Sequence, residues 1–473
     1  MSLLLVLISV VVGMVGLLLW WNEVRYGRRG NVCLPPGTMG WPLFGETTEF
    51  LKHGPSFMKR KGLRYGRLFR THILGCPTVA CMDPELNRRM LLQGESSGLV
   101  PGYPQSMLDI LGRNNIAAVH GPLHRAMWGA ILGLLHPAAI RASLLPKIDA
   151  FVRSHLDGWS GCIVDVQSFI EASPCMGMMT LLSALNQIAG ITPGPLSDTL
   201  KTELYTLVLG TISLPINLLG TRYYQGLHAR KKLVSMLEQM IAERRSSIQA
   251  HDDMLDALLR SGDDGAREKL SDDQIIDLII TLIYSGYETM STTSMMVVKY
   301  LSDHPRALQD LRREHLDIRK GKSSEEAIDY EDFKSMAFTR AVIFETLRLA
   351  TVVNGLMRKT TQDVEMNGYV IPKAWRIYVH TREINYDPFM YPDPTTFNPW
   401  RWLEKNMESH PYFMMFGGGG RMCPGKEVGT VEIATFLHYF VTRYRWEEEG
   451  RNTILRFPRV EAPNGLYIRV QDY

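Results

Sequence analysis

Long stretches of helical periodicity alternate with short strand-like pieces along this chain, and a few stretches break that rhythm. Leu3 to Trp21 is apolar and uncharged, about the length needed to cross a bilayer. Trp20 and Trp21 close this run and Arg25, Arg28 and Arg29 follow it, so the positive-inside rule puts the remainder in the cytosol. A cleaved signal peptide would want a positive start, a shorter core and a small-residue cleavage site, and none is present. Leu34 to Gly45, rich in proline and glycine, reads as a stiff extended segment, either a plain linker or a hinge setting how the rest leans on a membrane. Leu68 to Leu74 and Thr78 to Met82 are strand-like, Gly98 to Asn115 is loop-rich, and His120 to Gly129 opens a helix. Leu144 to Glu243 reads as successive amphipathic helices broken at Gly190 to Pro195 and Ser213 to Thr221, with Lys231 to Arg245 keeping a clear helical period. The apolar break at Ser213 to Thr221 suits an inter-helix loop, a lid or a membrane contact.

The strongest helical signal starts at Ser271-Asp-Asp-Gln274, a capping box, and nothing stops it before His304-Pro305. Such a helix is roughly 50 Å long, enough to cross a domain. Leu278 to Tyr284 is apolar all round, which predicts burial. Ser285-Gly-Tyr-Glu-Thr-Met290 then interrupts it. Gly286 costs about 1 kcal/mol against alanine, Glu288 brings a charge into an apolar helix, and Thr289 can bond back to the preceding turn. A kink with a satisfied polar pair and a groove where an acid and an alcohol pass protons explain this equally well.

In the last third, Glu345 and Arg348 share one face of the helix Phe338 to Leu349, the usual pattern of a surface ion pair. Phe397 to Trp402 surrounds Arg401 with aromatics and Pro399. A buried arginine needs a partner, and Glu345 is the candidate. Glu365 to Pro372 and Trp375 to His380 read together as a hairpin. The glycine run Phe416 to Gly425 holds Cys423 just before the apolar helical stretch Val428 to Phe440. A thiolate there gains from the helix dipole. A free buried cysteine beside a glycine turn and an axial ligand to haem iron are the two explanations.

Composition narrows the class. The 473 residues are 45% hydrophobic with a net charge of +3, which gives a large core and no basic face for nucleic acid. The six cysteines are scattered with no C-x-x-C pair, which speaks against zinc ribbons, c-type haem attachment and a disulfide framework, and for a reducing compartment. Residues 1–21 are read as an anchor, 22–46 as a basic, proline-rich hinge and 47–473 as one catalytic domain.

Four stretches in this order resemble the cytochrome P-450 superfamily of haem-thiolate monooxygenases: Ser285-Gly-Tyr-Glu-Thr289, the Glu345 and Arg348 pair, Phe397, Pro399 and Arg401, and the loop with Phe416, Gly419, Arg421, Cys423 and Gly425. The resemblance implies a mainly α fold with small β-sheets (α+β) behind an N-terminal transmembrane helix. It implies haem b with Cys423 as axial thiolate, a charge cluster of Glu345, Arg348 and Arg401, and propionate contacts from Arg421, Arg358 and His124. Gly286 and the loop glycines would let haem approach, and Glu288 and Thr289 would deliver protons. Electrons would come from NADPH through a reductase docking near Arg421 and Lys426, at the endoplasmic reticulum membrane. Two positions depart from the pattern. Trp128 stands where an arginine is usual, so that contact is absent or replaced by Arg125, and Ser285 replaces the commoner alanine.

A narrower resemblance, to plant brassinosteroid 6-oxidases, rests on Leu34 to Pro42, Gly98 to Gly112, Tyr284 to Thr289, Thr351 to Arg358 and Phe436 to Glu448. It implies oxidation of carbon 6 of a 6-deoxo steroid to an alcohol and then a ketone, in some members on to the lactone. It also implies substrate contacts from Met107, Leu108, Leu282, Thr351, Val352, Val353 and Leu466. Oxidation of a sterol or terpenoid at another position and a haem-based binder or sensor are the alternatives. A sensor has no use for the Glu288 and Thr289 pair.

Overall fold

The computed structural model describes residues 2–26, 33–42, 44–94, 97–167, 176–247, 251–260, 269–323, 325–405, 407–450 and 452–473. Arg28 and Arg29 of the basic hinge and Cys175 lie outside them. The chain is mainly helical with small sheets, and it divides into two compact units. Residues 47–473 are distributed over both.

One unit comprises residues 1–104, 353–384 and 417–421. It is built on a five-stranded sheet, whose strands run across it in the order Leu68–Ile73, Cys76–Cys81, Arg376–His380, Gly355–Thr360 and Leu99–Pro101. All neighbours are antiparallel except Cys76–Cys81 with Arg376–His380. The strand-like runs before residue 83 are therefore strands. The hairpin expected from Glu365 through His380 forms differently. Val364–Met366 pairs with Tyr369–Ile371 across Asn367-Gly368, while Arg376–His380 goes to the centre of the five-stranded sheet. Asn367 and Gly368 both take positive φ, 49° and 77°, the requirement of the tightest two-residue turn. That turn closes the hairpin before Trp375 is reached.

The same unit carries the N-terminal helix Ser2–Tyr26, whose Val6, Ile8, Val10, Val12 and Met14 are exposed. Its last turn is tied to the proline-rich segment. Glu23 accepts from the Met39 N–H at 2.6 Å and pairs with Arg70, and Asn22 donates to the carbonyls of Met39 and Trp41.

The other unit, residues 105–352, 385–416 and 422–473, is mainly helical with small sheets. Ser271 caps its longest helix, Asp272–Asp303, through reciprocal bonds with Gln274, and the helix runs unbroken through Gly286 to His304. It packs into both large apolar cores, its first half with the pair Pro195–Thr211 and Arg222–Ser246, its second half with Ala337–Ala350 and Lys426–Arg443. Gly210 and Gly226 let the former pair fold closely together, since a Cβ on Gly210 would lie 3.1 Å from the Gly226 Cα. The break between these two helices exposes Leu218 (64%) and Leu219 (85%). The stretch Gly98 to Asn115 is less loop-like than its composition suggests, because it contains the strand Leu99–Pro101 and the helix Gln105–Leu111. Buried Asp277 then holds the following turn by accepting from the Asn114 N–H at 3.0 Å, and it pairs with Arg230. Gly112 at φ +96° passes so close to that carboxylate that a Cβ would overlap it.

Candidate functional site

In the helical unit, the cysteine lies where a tight loop enters a helix. The Cys423 N–H donates to the Phe416 carbonyl at 2.8 Å, and Lys426–Arg443 begins after Gly425. Cys423 is exposed on one side and crowded by protein on the others. The crowding pushes its thiol up, while the backbone N–H groups of Gly425 and Lys426 and the Lys426 charge pull it back. These are the donors a thiolate uses at a helix start. One turn into that helix, Gly429 meets the long helix, its Cβ position lying 3.8 Å from Met290 Sδ. The cysteine helix and the Ser285 to Thr289 segment are therefore packed neighbours.

The long helix is polar and open at that point. Ser285 is exposed, and the space beside Gly286 contains no atom within 4 Å of a built Cβ. Thr289 Oγ1 donates to the Ser285 carbonyl at 2.7 Å, and Thr293 does the same to Thr289 at 2.6 Å. Glu288 is paired: Arg459 Nε lies 2.8 Å from its Oε1. Nothing in the Phe457-Pro-Arg-Val460 sequence marks Arg459 as a partner of an acid more than a hundred residues earlier.

Glu345 and Arg348, which sequence spacing alone assigns to a surface pair, are both 0% exposed. The two carboxylate oxygens of Glu345 receive Arg348 Nη2 at 2.8 Å and Nε at 2.9 Å, the Asn398 N–H at 2.9 Å and Trp402 Nε1 at 2.8 Å, with Arg401 Nε at 3.2 Å. Arg348 also donates to the carbonyls of Asn385, Pro394 and Thr396. Arg401 is buried beside it, as its aromatic flanks suggest. The cluster cross-links the Ala337–Ala350 helix to residues 385–402, and the contributions of Trp402 and Asn398 are not marked in the sequence.

His124 is buried, not a surface residue, and its ring stacks on half-buried Trp128 one turn on, with centroids 5.9 Å apart and planes at 21°. Arg125 is exposed. Lys426 is not a free surface cation. It pairs with Glu408 at 3.0 Å and sits over the rings of Phe344, Phe413 and Phe416, while Arg340 bridges Glu408 and Glu427. Thr351 takes a left-handed φ of 50° at the end of its helix, an unusual conformation for a β-branched residue. Met107, Leu108, Leu282 and Val352 keep partial exposure, whereas Thr351 and Leu466 are buried.

In the sheet unit, Arg358 is buried. Its guanidinium donates to the adjacent Met357 carbonyl at 3.2 Å, and burial holds its affinity for protons below the usual arginine range. Val353 is exposed. Arg421 ends the turn Gly419–Arg421, where Gly419, at φ +61°, approaches the Leu91 carbonyl so closely that a Cβ would sit 2.6 Å from it.

These residues fit haem. Among the described residues no three of His, Cys, Asp or Glu converge as a metal cage. A buried guanidinium bonded to a carbonyl suits a carboxylate partner. An exposed thiol at a helix start and an open glycine in a polar helical turn suit a metal and a flat ring.

Comparison with known proteins agrees. The family profile described as Cytochrome P450 matches residues 196–466. The chain is 81% identical over 471 residues to cytochrome P450 85A1 of Brachypodium distachyon, covering 99% of each, and 77% identical over 472 residues to cytochrome P450 85A1 of Oryza sativa subsp. japonica, covering 99% and 98%. Cytochrome P450 85A2 of Arabidopsis thaliana is 54% identical, covering 100% and 99%. Among solved structures, a retinoic acid-bound cyanobacterial CYP120A1 matches with a TM-score of 0.83 at 27% identity, covering 94% of this chain and all of that one.

Proposed function

The chain belongs to the cytochrome P450 family and is a cytochrome P450 monooxygenase, and from this premise we propose that it oxidises carbon 6 of 6-deoxo brassinosteroids to the alcohol and then the ketone. The observation that carries the substrate class is identity of 77–81% along the whole chain to two cytochrome P450 85A1 proteins, together with the segments Gly98 to Gly112 and Thr351 to Arg358. By the family resemblance, haem b would be held by the Cys423 thiolate, with Arg421, Arg358, His124 and Arg125 as candidates for its carboxylates and Phe416, Gly419, Gly425 and Gly286 as further candidate contacts. When bound, it supplies a thiolate-ligated iron that activates oxygen for insertion into a C–H bond.

The chain's own work is orientation and proton supply. Met107, Leu108, Leu282 and Val352 offer apolar surface to a rigid steroid, with Thr351, Val353 and Leu466 placed by the same resemblance. Thr289 and Glu288 pass protons from water. The helix Ser2–Tyr26 anchors the protein in the endoplasmic reticulum membrane with the remainder cytosolic, where NADPH–cytochrome P450 reductase supplies electrons one at a time.

The test is reconstitution of the full chain with reductase and NADPH on a panel of 6-deoxo steroids, with products read by mass spectrometry. Gain of one oxygen followed by loss of two hydrogens at carbon 6 is expected. No turnover on the panel removes the substrate assignment. Thr289→Ala is expected to keep consuming NADPH while product per NADPH falls about tenfold. That is less than the roughly 10²–10⁴-fold of a positioned acid or base, because water replaces part of the hydroxyl's role. The missing electrons appear as peroxide, and unchanged coupling removes the proton role of Thr289.

A further inference from the structure

Glu288 is the acid of the proposed proton path, and two other side chains meet it. Arg459 Nε approaches Oε1 at 2.8 Å, with the two side chains 21% and 18% exposed respectively. Tyr284, one turn earlier on the same helix, interacts with the Glu288 carboxylate and with Thr211, and burial together with that carboxylate pushes its phenol far up. Thr211 ends the helix Pro195–Thr211, and Arg459 lies in the turn between the paired strands Leu455–Arg456 and Val460–Glu461. The 455–461 hairpin and the long helix therefore meet at one carboxylate, and Tyr284 links it to the end of the helix Pro195–Thr211.

The arrangement sets what Glu288 can do. A carboxylate on a helix face can take several orientations, and a guanidinium bonded to one of its oxygens fixes the direction of the other. A group that relays protons must present that oxygen at a fixed place to the water that supplies them. Thr289 cannot take the acid's place, since an aliphatic hydroxyl carries no charge; its share of the path is relay, with its hydroxyl donating to the Ser285 carbonyl at 2.7 Å. The other charged and titratable groups around the pair are Glu461 and Tyr287, which act on Arg459. Of a carboxylate's roughly four acceptor sites, Arg459 and Tyr284 take about half.

We infer that Arg459 is a positioning residue for oxygen activation: bonded to Oε1, it holds the Glu288 carboxylate in one orientation, so that its other oxygen meets the water that supplies protons. This rests on the proton role of Glu288 proposed above. A purely structural Arg459 would only pin the 455–461 hairpin to the long helix.

The experiment uses the full-chain holoenzyme in lipid vesicles with reductase, NADPH and a 6-deoxo steroid. It compares Arg459→Met, Arg459→Lys, Glu288→Gln and the Arg459→Met/Glu288→Gln double variant. Product per NADPH, kcat and KM are measured, and thermal unfolding is followed by circular dichroism. Arg459→Met is expected to lower product per NADPH and kcat about tenfold with KM within about twofold, the pattern of a loss confined to the chemical steps. Arg459→Lys restores most of that loss. In the Glu288→Gln background, Arg459→Met lowers coupling no further, and the two melting-point losses are not additive, because Arg459→Met alone strands a carboxylate that Glu288→Gln neutralises.

If Glu288→Gln lowers coupling and Arg459→Met does not, or if Arg459→Met costs the same factor in both backgrounds, the inference is overturned and the proton role of Glu288 stands. If Glu288→Gln leaves coupling unchanged, both fall. The thermal cycle needs no substrate, so additive melting-point losses overturn the pairing even where the steroid is not turned over.

Discussion

Cys423→Ala is expected to fold and to lose the haem-thiolate signature altogether. The side chain is exposed and its sulfur is not part of the core, so its removal leaves no cavity of the kind that destabilises buried sites. The loop keeps its closure, because the bond to the Phe416 carbonyl comes from the Cys423 backbone. The reduced, carbon monoxide-treated protein should therefore show the native far-ultraviolet circular dichroism and none of the absorption band of a thiolate-ligated haem. Haem content should drop and oxidation should fall by about 10³-fold or more, the scale on which indispensable groups are lost. Retention of the thiolate-type band in Cys423→Ala would mean that another residue ligates the iron.

Glu345→Ala is the second large effect, and it acts on folding. One carboxylate serves Arg348, Arg401, the Asn398 N–H and the Trp402 indole, in a place with no access to water. Breaking a buried pair by removing one member costs about 3–5 kcal/mol, and here two guanidiniums and two neutral donors lose their acceptor together. Against a total stability of roughly 5–15 kcal/mol, Glu345→Ala should yield little soluble holoprotein. Glu345→Gln, which keeps an acceptor but removes the charge, should be less damaging. Soluble yield, haem content and melting temperature measure the ordering. A Glu345→Ala protein that melts within a few degrees of the wild type would show that the cluster is not what fastens residues 385–402 to the helix.

Much of the architecture is legible locally. The long helix is set by its capping box and ended by proline, features that act within a few residues, and the structure places its ends as that logic requires. The strands at Leu68 and Cys76 follow from β-branched and aromatic runs joined by a short turn. The hairpin after Glu365 fails for an equally local reason: Asn367-Gly368 supplies a tighter turn than the one expected, which frees Arg376–His380 for the larger sheet. Lys426 misleads because a cation at a helix start looks exposed in sequence. Its three aromatic neighbours come from separate stretches, Phe344, Phe413 and Phe416.

The sequence by itself determined the chemistry available to this protein. Cys423 before an apolar helix, an acid and an alcohol in the middle of a buried one, and the order of these motifs along the chain carry its resemblance to the haem-thiolate monooxygenases, because motif order and spacing are properties of the chain. Partnership was decided mostly by tertiary structure, the pairing of Arg401 with Glu345 being the one the sequence suggests. Spacing shows that Glu345 and Arg348 share a helix face, but only packing against residues 385–402 turns that pair from a surface contact into a buried cluster. Spacing shows that Glu288 lies in an apolar helix, but only the fold brings Arg459 to within 2.8 Å of it. The physical reason is one of range. Periodicity, caps and turns are fixed by neighbours in sequence, whereas the charge state and aim of a buried acid depend on which distant side chain the fold delivers to it.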